Sequence, residues 1–344
     1  MNKPIIICCL LFIICFTIKV HSQKSAYKIE NKFPIEGDGG WDYIASDEST
    51  GRLFTSHSQV TQVIEMNTGK LLETITDTKG VHGIAIDKED NKAFISCGKD
   101  SSVSIINLTT LKLIEKINVT GANPDAILYD SFSHNVFVFN GRSSNATVLD
   151  AKTNHVVATI PLEGKPEFAV SDGNGKVYVN IEDKSLITVI NSKSLKTETS
   201  WSVSPGEEPS GLALDNINHR LFSVCDNKKM IVMNINTGKI ISTLDIGSHV
   251  DGCAYDPELK RAYSSNGDGT ITVVQQESGD KYFVLETIQT QKGARTICIN
   301  QSTHHLYLPT AEYGETPAPT NEVQHPRPSI KPGTFMILDV APVK

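Results

Sequence analysis

Seven residues recur at nearly even spacing along this 344-residue chain: Asp42, His82, Asp125, Glu167, Ser210, Asp251 and Arg295. Their types matter more than their number. Four carboxylates, an imidazole, a hydroxyl and a guanidinium gathered at one point could hold a divalent cation, since carboxylate oxygens suit Ca²⁺, Mg²⁺ or Mn²⁺ and an imidazole also admits Zn²⁺. They could equally bind a small polar ligand or move protons as general acids and bases. Carboxylates packed together resist joint ionisation, so such a group needs a proton, a cation or hydrogen bonds to compensate.

A repeat brings them together. Each of the seven opens a short apolar segment that closes on an acid or amide: DYIASD (42–47), HGIAID (82–87), DAILYD (125–130), EFAVSD (167–172), SGLALD (210–215), DGCAYD (251–256) and RTICIN (295–300). The closing residues lie 40 to 44 positions apart, the length of a four-stranded propeller blade. A second strand follows each turn (RLFTS, KAFIS, NVFVF, KVYVN, RLFSV, RAYSS, HLYLP), then a third apolar run and a fourth such as KLLETI or HVVATI. Turns rich in Gly, Asp and Asn separate them, and no stretch has helical periodicity. The last unit has no fourth strand after FMILDV, and YKIENKF (27–33) has the pattern of one. The chain therefore reads as all-β, a seven-bladed propeller closed by pairing its N-terminal strand with the last blade, which leaves fewer exposed edges.

In that architecture all first strands start on one face, so the seven opening residues form a ring around one mouth of the central channel. Loops between second and third strands share this face and add His57, Lys99, Asn140, Arg142, Asn180, Glu182, Asp226, Asn227 and Asn266. Most fit ordinary turn roles; Arg142 and Glu182 do so less well. Blade 7 carries a Pro-rich loop at 309–333 in place of about six residues, long enough to act as a lid or interaction loop. Glu312, Tyr313, His325 and Arg327 lie within it. Trp41, beside Asp42, is expected to stack on a ligand, whereas Trp201 packs in an outer strand. His304 and His305 fall on the opposite face and are expected to be solvated.

Residues 1–22 read as a cleavable signal peptide, a lysine followed by an apolar core and a cleavage site near Ser22. Residues 23–344 then form one domain, exported to the periplasm or secreted, with no membrane span. Four cysteines remain: Cys97 and Cys225 stand across the ring, and a bridge between Cys253 and Cys298 is not favoured over free thiols. Four Asn-x-Ser/Thr sequons (Asn107, Asn118, Asn145, Asn300) matter only on a eukaryotic secretory route. A formal net charge of −7 without a basic cluster argues against nucleic acid as a partner. Phosphate-loop, HExxH, CxxC and GxSxG motifs are absent.

The segments GDGGWDYIASD, GVHGIAID, NPDAILYD, FNGRSSNATVLD, GKPEFAV, KVYVNIED, EEPSGLALD, NGDGTITVV, KGARTICIN and YLPTAEYG resemble the bacterial exported YncE-like proteins of the YVTN-repeat β-propeller superfamily. The resemblance runs from about residue 27 to the end and implies a seven-bladed exported propeller. The acidic mouth argues against carrying over the DNA binding associated with one branch. Where the superfamily repeat usually has glycine or a small residue, this chain has Asp, His or Glu, which marks the ring as a candidate ligand site.

Two functions follow. A binding or interaction module, acting as a monomer, would use Trp41, Asp42, His82, Asp125, Arg142, Glu167, Glu182, Asp251, Arg295, Glu312 and Tyr313 to hold a small polar ligand or a partner protein. A metal-assisted hydrolase or lyase acting on a sugar acid or lactone would hold a divalent metal among Asp42, His82, Asp125, Glu167 and Asp251. His82 or Glu167 would then be the base, and Arg295 or Arg142 would bind a substrate carboxylate or face developing negative charge. The enzyme requires at least two ring groups close enough to share one metal or substrate atom.

Overall fold

The computed structural model describes residues 26–318 and 326–343, and all regular structure in them is β apart from a single 3-10 turn at Glu182–Lys184. Seven four-stranded antiparallel sheets follow one another along the chain. Six are built from consecutive strands. In the seventh, Cys298–Asn300, His305–Thr310 and Met336–Pro342 are completed by the N-terminal strand Tyr27–Pro34, which pairs from Tyr27 opposite Pro342 to Pro34 opposite Met336 with one register shift between Ile29 and Asn31. This is the expected ring closure. The signal peptide with its cleavage near Ser22, and His325, lie outside the described residues.

The repeat is written in its closing acids because each caps a turn. Asp87 accepts the backbone N–H of Glu89 at 3.0 Å, Asp130 that of Ser133 at 3.0 Å, Asp256 that of Leu259 at 2.9 Å and Asn300 that of Thr303 at 3.1 Å. Such Asx turns supply the geometry that reverses the chain between first and second strands. Second and third strands are apolar on both sides because both sides meet neighbouring blades, as with Val136, Phe137, Val138 and Phe139, all fully buried. Among the described residues the buried side chains form seven clusters, one at each junction between blades.

First strands approach one another so closely that a side chain would not fit at some positions. A Cβ on Gly211 would lie 2.7 Å from the backbone nitrogen of Cys253, and one on Gly83 would lie 2.9 Å from the carbonyl oxygen of Asp125. Hydroxyls on the second strands stitch neighbouring blades here. Ser265 donates to the carbonyl of Arg295 at 2.5 Å, and Ser96 to that of Asp125.

Three local expectations are corrected. The first strand of blade 7 is only three residues long: continuing its register would set Thr296 opposite Pro309, which has no N–H to donate, and Thr296 instead donates its hydroxyl to the carbonyl of Asp42 at 2.5 Å. His304 and His305 are partly buried and paired, with Nδ1 of each 2.7 Å from the buried carboxylates of Asp256 and Asp339 respectively. His57 is buried away from the mouth, stacked 3.9 Å from Phe335 with Nδ1 donating to Gln62 at 2.9 Å. The four cysteines among the described residues are free thiols. Cys253 packs into the core shared with blade 5 and Cys298 against the core shared with blade 1, so the two point to different junctions.

Candidate functional site

The ring residues face the channel because the strands carrying them are bulged there. In six blades the pairing between first and second strands slips across the ring position: between Trp41 and Ile44, Val81 and Ile84, Pro124 and Ile127, Pro166 and Ala169, Pro209 and Leu212, and Val250 and Gly252. A bulge frees a residue from the ladder and re-aims its side chain, a device common beside functional sites. Six independent strands use it at the same level.

The result is a nearly continuous belt of charge around the mouth. His82 Nδ1 donates to Asp42 at 2.6 Å and lies 3.7 Å from Asp125. Arg295 spans blades 6, 7 and 1, with Nε 2.7 Å from Asp251, Nη2 3.4 Å from Asp42, and both terminal nitrogens donating to the Trp41 carbonyl at 3.2 Å. Ser210 donates to Asp251 at 2.7 Å. On the opposite arc Lys165 stands 2.7 Å from Glu167 and also pairs with Glu182. Lys165 was not among the expected site residues, and it is the cation of that half of the ring.

Compensation is uneven. Asp42 has both His82 and Arg295, and Asp251 has Arg295 and Ser210, but Asp125 has only the longer contact to His82, and Glu167 shares its lysine with Glu182. Burial, reinforced by the Asp42 charge, pushes the Asp125 carboxyl up to about 7 against the opposing pull of His82. Burial and then Asp125 raise Glu167 to about 8 despite Lys165. Burial also raises Asp251, with Arg295 opposing. For His82 burial works toward the neutral form, but the Asp42 hydrogen bond and the nearby Asp125 outweigh it and lift the imidazole to about 9. The ring at neutral pH is therefore short of positive charge on the Asp125–Glu167 side.

Asp42, Asp125, Glu167, Ser210, Asp251 and Arg295 sit at the bottom of a funnel of about 690 Å³, which His82 does not line. Glu182, Glu208, Asp226, His249 and Lys292 line its wall, and Tyr313, Arg327, Pro328 and Ile330 of the blade 7 loop lean over it. The two limbs of that loop pair with each other, Gly314 N–H to the Ser329 carbonyl and Lys331 N–H to the Glu312 carbonyl, both at 2.8 Å. Tyr43 and Phe168 form the floor. Carried by blades 1 and 4, their rings stack across the channel at 4.9 Å between centroids and 29° between planes.

Three expected residues are placed elsewhere. Trp41 is buried against Phe335 with its indole N–H on the Gly293 carbonyl at 3.2 Å, because it precedes Asp42 and so points to the opposite side of the strand, into the core. Arg142 is exposed at a turn outside the funnel lining. Glu312 is exposed and pairs with Lys331 at 3.1 Å, bracing the loop instead of lining the mouth. Of the five carboxylate and histidine positions considered for a metal, Asp42, His82 and Asp125 each offer a ligand atom within 4.8 Å of the others. Glu167 and Asp251 are engaged by Lys165 and Arg295.

No protein-family model matches the chain. Among curated proteins it is similar to YncE of Salmonella typhi, a protein described as uncharacterized, at 26% identity over 165 residues, 46% of this chain and 46% of that one. It is similar also to YncE of Escherichia coli O157:H7, 23% identical over 254 residues, 67% of this chain and 70% of the relative. The match thus spans about half the length of the Salmonella protein. Among solved structures, a chain of Kuenenia stuttgartiensis hydrazine synthase aligns with a TM-score of 0.68 at 15% identity, covering 80% of this chain and 94% of its own. The structure of U3-55K aligns at 0.76 and 9% identity, covering 91% and 98%. At such identities these two show the fold alone.

Proposed function

We propose that this chain, a YncE-like β-propeller protein, is a binding protein whose funnel takes a small polar ligand carrying positive charge. One observation carries this: Asp125, half-buried, and Glu167, buried, on adjacent blades at the bottom of the funnel, have too little positive charge between them. A cation seated there would let both ionise. An organic ammonium or guanidinium group and a divalent metal both answer that description. The apolar leader at residues 1–22 supports export, so the ligand would be met outside the cytoplasm. Among the described residues no helix is long and apolar enough to cross a membrane.

Binding and ionisation are linked, so the cation should displace protons and bind more tightly as pH rises toward about 8. Calorimetric titration with Mn²⁺, Zn²⁺, Ca²⁺ and butylammonium at pH 6 and pH 8 tests this. Saturable binding by at least one of them, stronger at the higher pH and lost in Asp125→Asn/Glu167→Gln, is the expected result. Absence of binding by all four at both pH values would count against a cation site.

A metal-assisted hydrolase or lyase is the second reading, favoured by the clustering of Asp42, His82 and Asp125. A metal bound there would supply Lewis acidity to a substrate oxygen. His82 would have to give up its proton and its bond to Asp42 to ligate. Glu167 is then the group placed to accept a proton, and Arg295 the group facing an anionic substrate oxygen.

A further inference from the structure

The funnel is charged in two halves. Asp125 and Glu167 stand at the start of the first strands of blades 3 and 4, and Glu208 and Asp226 of blade 5 continue the acidic wall. The cation on this side, Lys165, is already shared between Glu167 and Glu182. Blade 7 stands across the channel from blades 3 and 4, since first strands neighbour one another in chain order and the last neighbours the first. There the lining carries Lys292, Arg295 and Arg327. Arg295 is committed to Asp42 and Asp251, but Lys292 and Arg327 have no carboxylate within ion-pair distance among the described residues.

A tyrosine stands among these bases. Tyr313 bridges to Ile330 within the blade 7 loop, and its ring packs 6.1 Å from that of Trp41. Its hydroxyl comes down on the backbone between Lys292 and Arg295, where residue 293 has to be glycine: a Cβ there would lie 2.5 Å from the hydroxyl oxygen. Burial raises the phenol pKa while the charges of Arg295 and Arg327 oppose the rise, so both guanidiniums lie near it. The hydroxyl makes no hydrogen bond among the described residues, and Tyr313 lines the funnel. Two uncommitted cations and a free phenolic donor on one flank are the groups that receive a carboxylate.

We infer that the ligand is a zwitterion, with an ammonium at Asp125 and Glu167 and a carboxylate at Lys292, Arg327 and the Tyr313 hydroxyl. This rests on the cation reading above and adds the second charge. A metal ion or a simple amine answers the acids and leaves the blade 7 flank unmatched. A diamine finds acids for both ends, at the bottom of the funnel and at Glu208 or Asp226, but is repelled by Lys292 and Arg327. Because the two subsites face each other across the mouth, the fit depends on the distance between the ligand's charges.

Calorimetric titration of the full chain at pH 8 with straight-chain ω-aminoalkanoates, glycine to 8-aminooctanoate, tests it. Affinity should pass through a maximum at one chain length. The best aminoalkanoate should bind about tenfold more tightly than the ω-amino amide or the diamine of the same length, as loss of one charged hydrogen-bond partner implies. Arg327→Gln and, separately, Lys292→Gln should each weaken that aminoalkanoate about fivefold, the worth of a partly solvated ion pair, and leave butylammonium bound no more weakly. Both side chains are exposed, so neither change threatens the fold. Four results would overturn the zwitterion and leave the cation site standing: an amide or diamine as tight as the aminoalkanoate, one affinity at every chain length, an aminoalkanoate affinity untouched by both variants, or binding of a metal or butylammonium without any aminoalkanoate. Failure of every cation and every aminoalkanoate would overturn both readings.

Discussion

Between about pH 5 and about pH 9 the free energy of unfolding should fall by on the order of 5 kcal/mol, as much as the whole stability of a marginal domain. The sign follows from three ring groups whose pKa is higher folded than unfolded. Asp125 rises from 3.8 to about 7, Glu167 from 4.5 to about 8 and His82 from 6.5 to about 9. In each case the folded protein holds a proton that the unfolded chain has released. The stabilisation is complete below the unfolded value and is lost as pH climbs through the folded one, so stability declines across the neutral range. His57 acts in the other direction, since burial lowers its pKa and its stabilisation is lost as pH drops below about 6.5. Urea denaturation at unit pH steps checks this. Asp125→Asn/Glu167→Gln should flatten the profile, and an unchanged slope in that variant would remove the ring as its cause.

Arg295→Gln should destabilise the protein by about 3 kcal/mol at pH 8, the lower end of the cost of leaving buried charges unpaired, because the guanidinium is partly exposed. Its loss strands Asp251 and removes one of two cations from Asp42, and it cuts the tie from blade 7 to the Trp41 carbonyl of blade 1. Lowering the pH to about 5 should recover part of the loss, since Asp251 can then take up a proton in place of its ion pair. Arg295→Lys keeps the charge but loses the fork and should fall between the two. A loss that is the same at pH 5 and pH 8 would mean that packing, and not charge, accounts for it.

Much of this site could be read in the sequence because a propeller turns sequence period into spatial proximity. The seven blades were legible through Asx-turn acids that reverse the chain at fixed intervals, and the ring through its register with them. The same alignment held signals that went unread. Two residues before the ring, just ahead of the strands, stand Asn123, Lys165, Glu208 and His249, and the last three line the funnel wall. One residue before the ring stand Trp41, Val81, Pro124, Pro166, Pro209, Val250 and Ala294, all buried, which marks Trp41 as core. One residue after it the chain has Tyr43 and Phe168 where the other blades have Gly83, Ala126, Gly211, Gly252 and Thr296. Two large residues among five small ones mark the channel floor. What spacing alone could not supply was charge balance: which carboxylate is paired and which is not depends on where the long side chains of Lys165 and Arg295 reach, and that is settled by bulges and neighbouring loops. The exposure of Arg142 away from the funnel lining and the pairing of Glu312 with Lys331 are likewise tertiary facts.

The shortage of positive charge at Asp125 and Glu167 can be measured directly by following their side-chain carboxyl carbons by NMR as a function of pH, first in the ligand-free protein and then with the cation that calorimetry identifies. Apparent pKa values near 7 and 8 in the free protein, falling toward the ordinary carboxylate range when the cation binds, are the predicted result. Ordinary carboxylate titration of both groups in the free protein, near about 4, would contradict it, because the ring would then already be balanced and have no need of a cation.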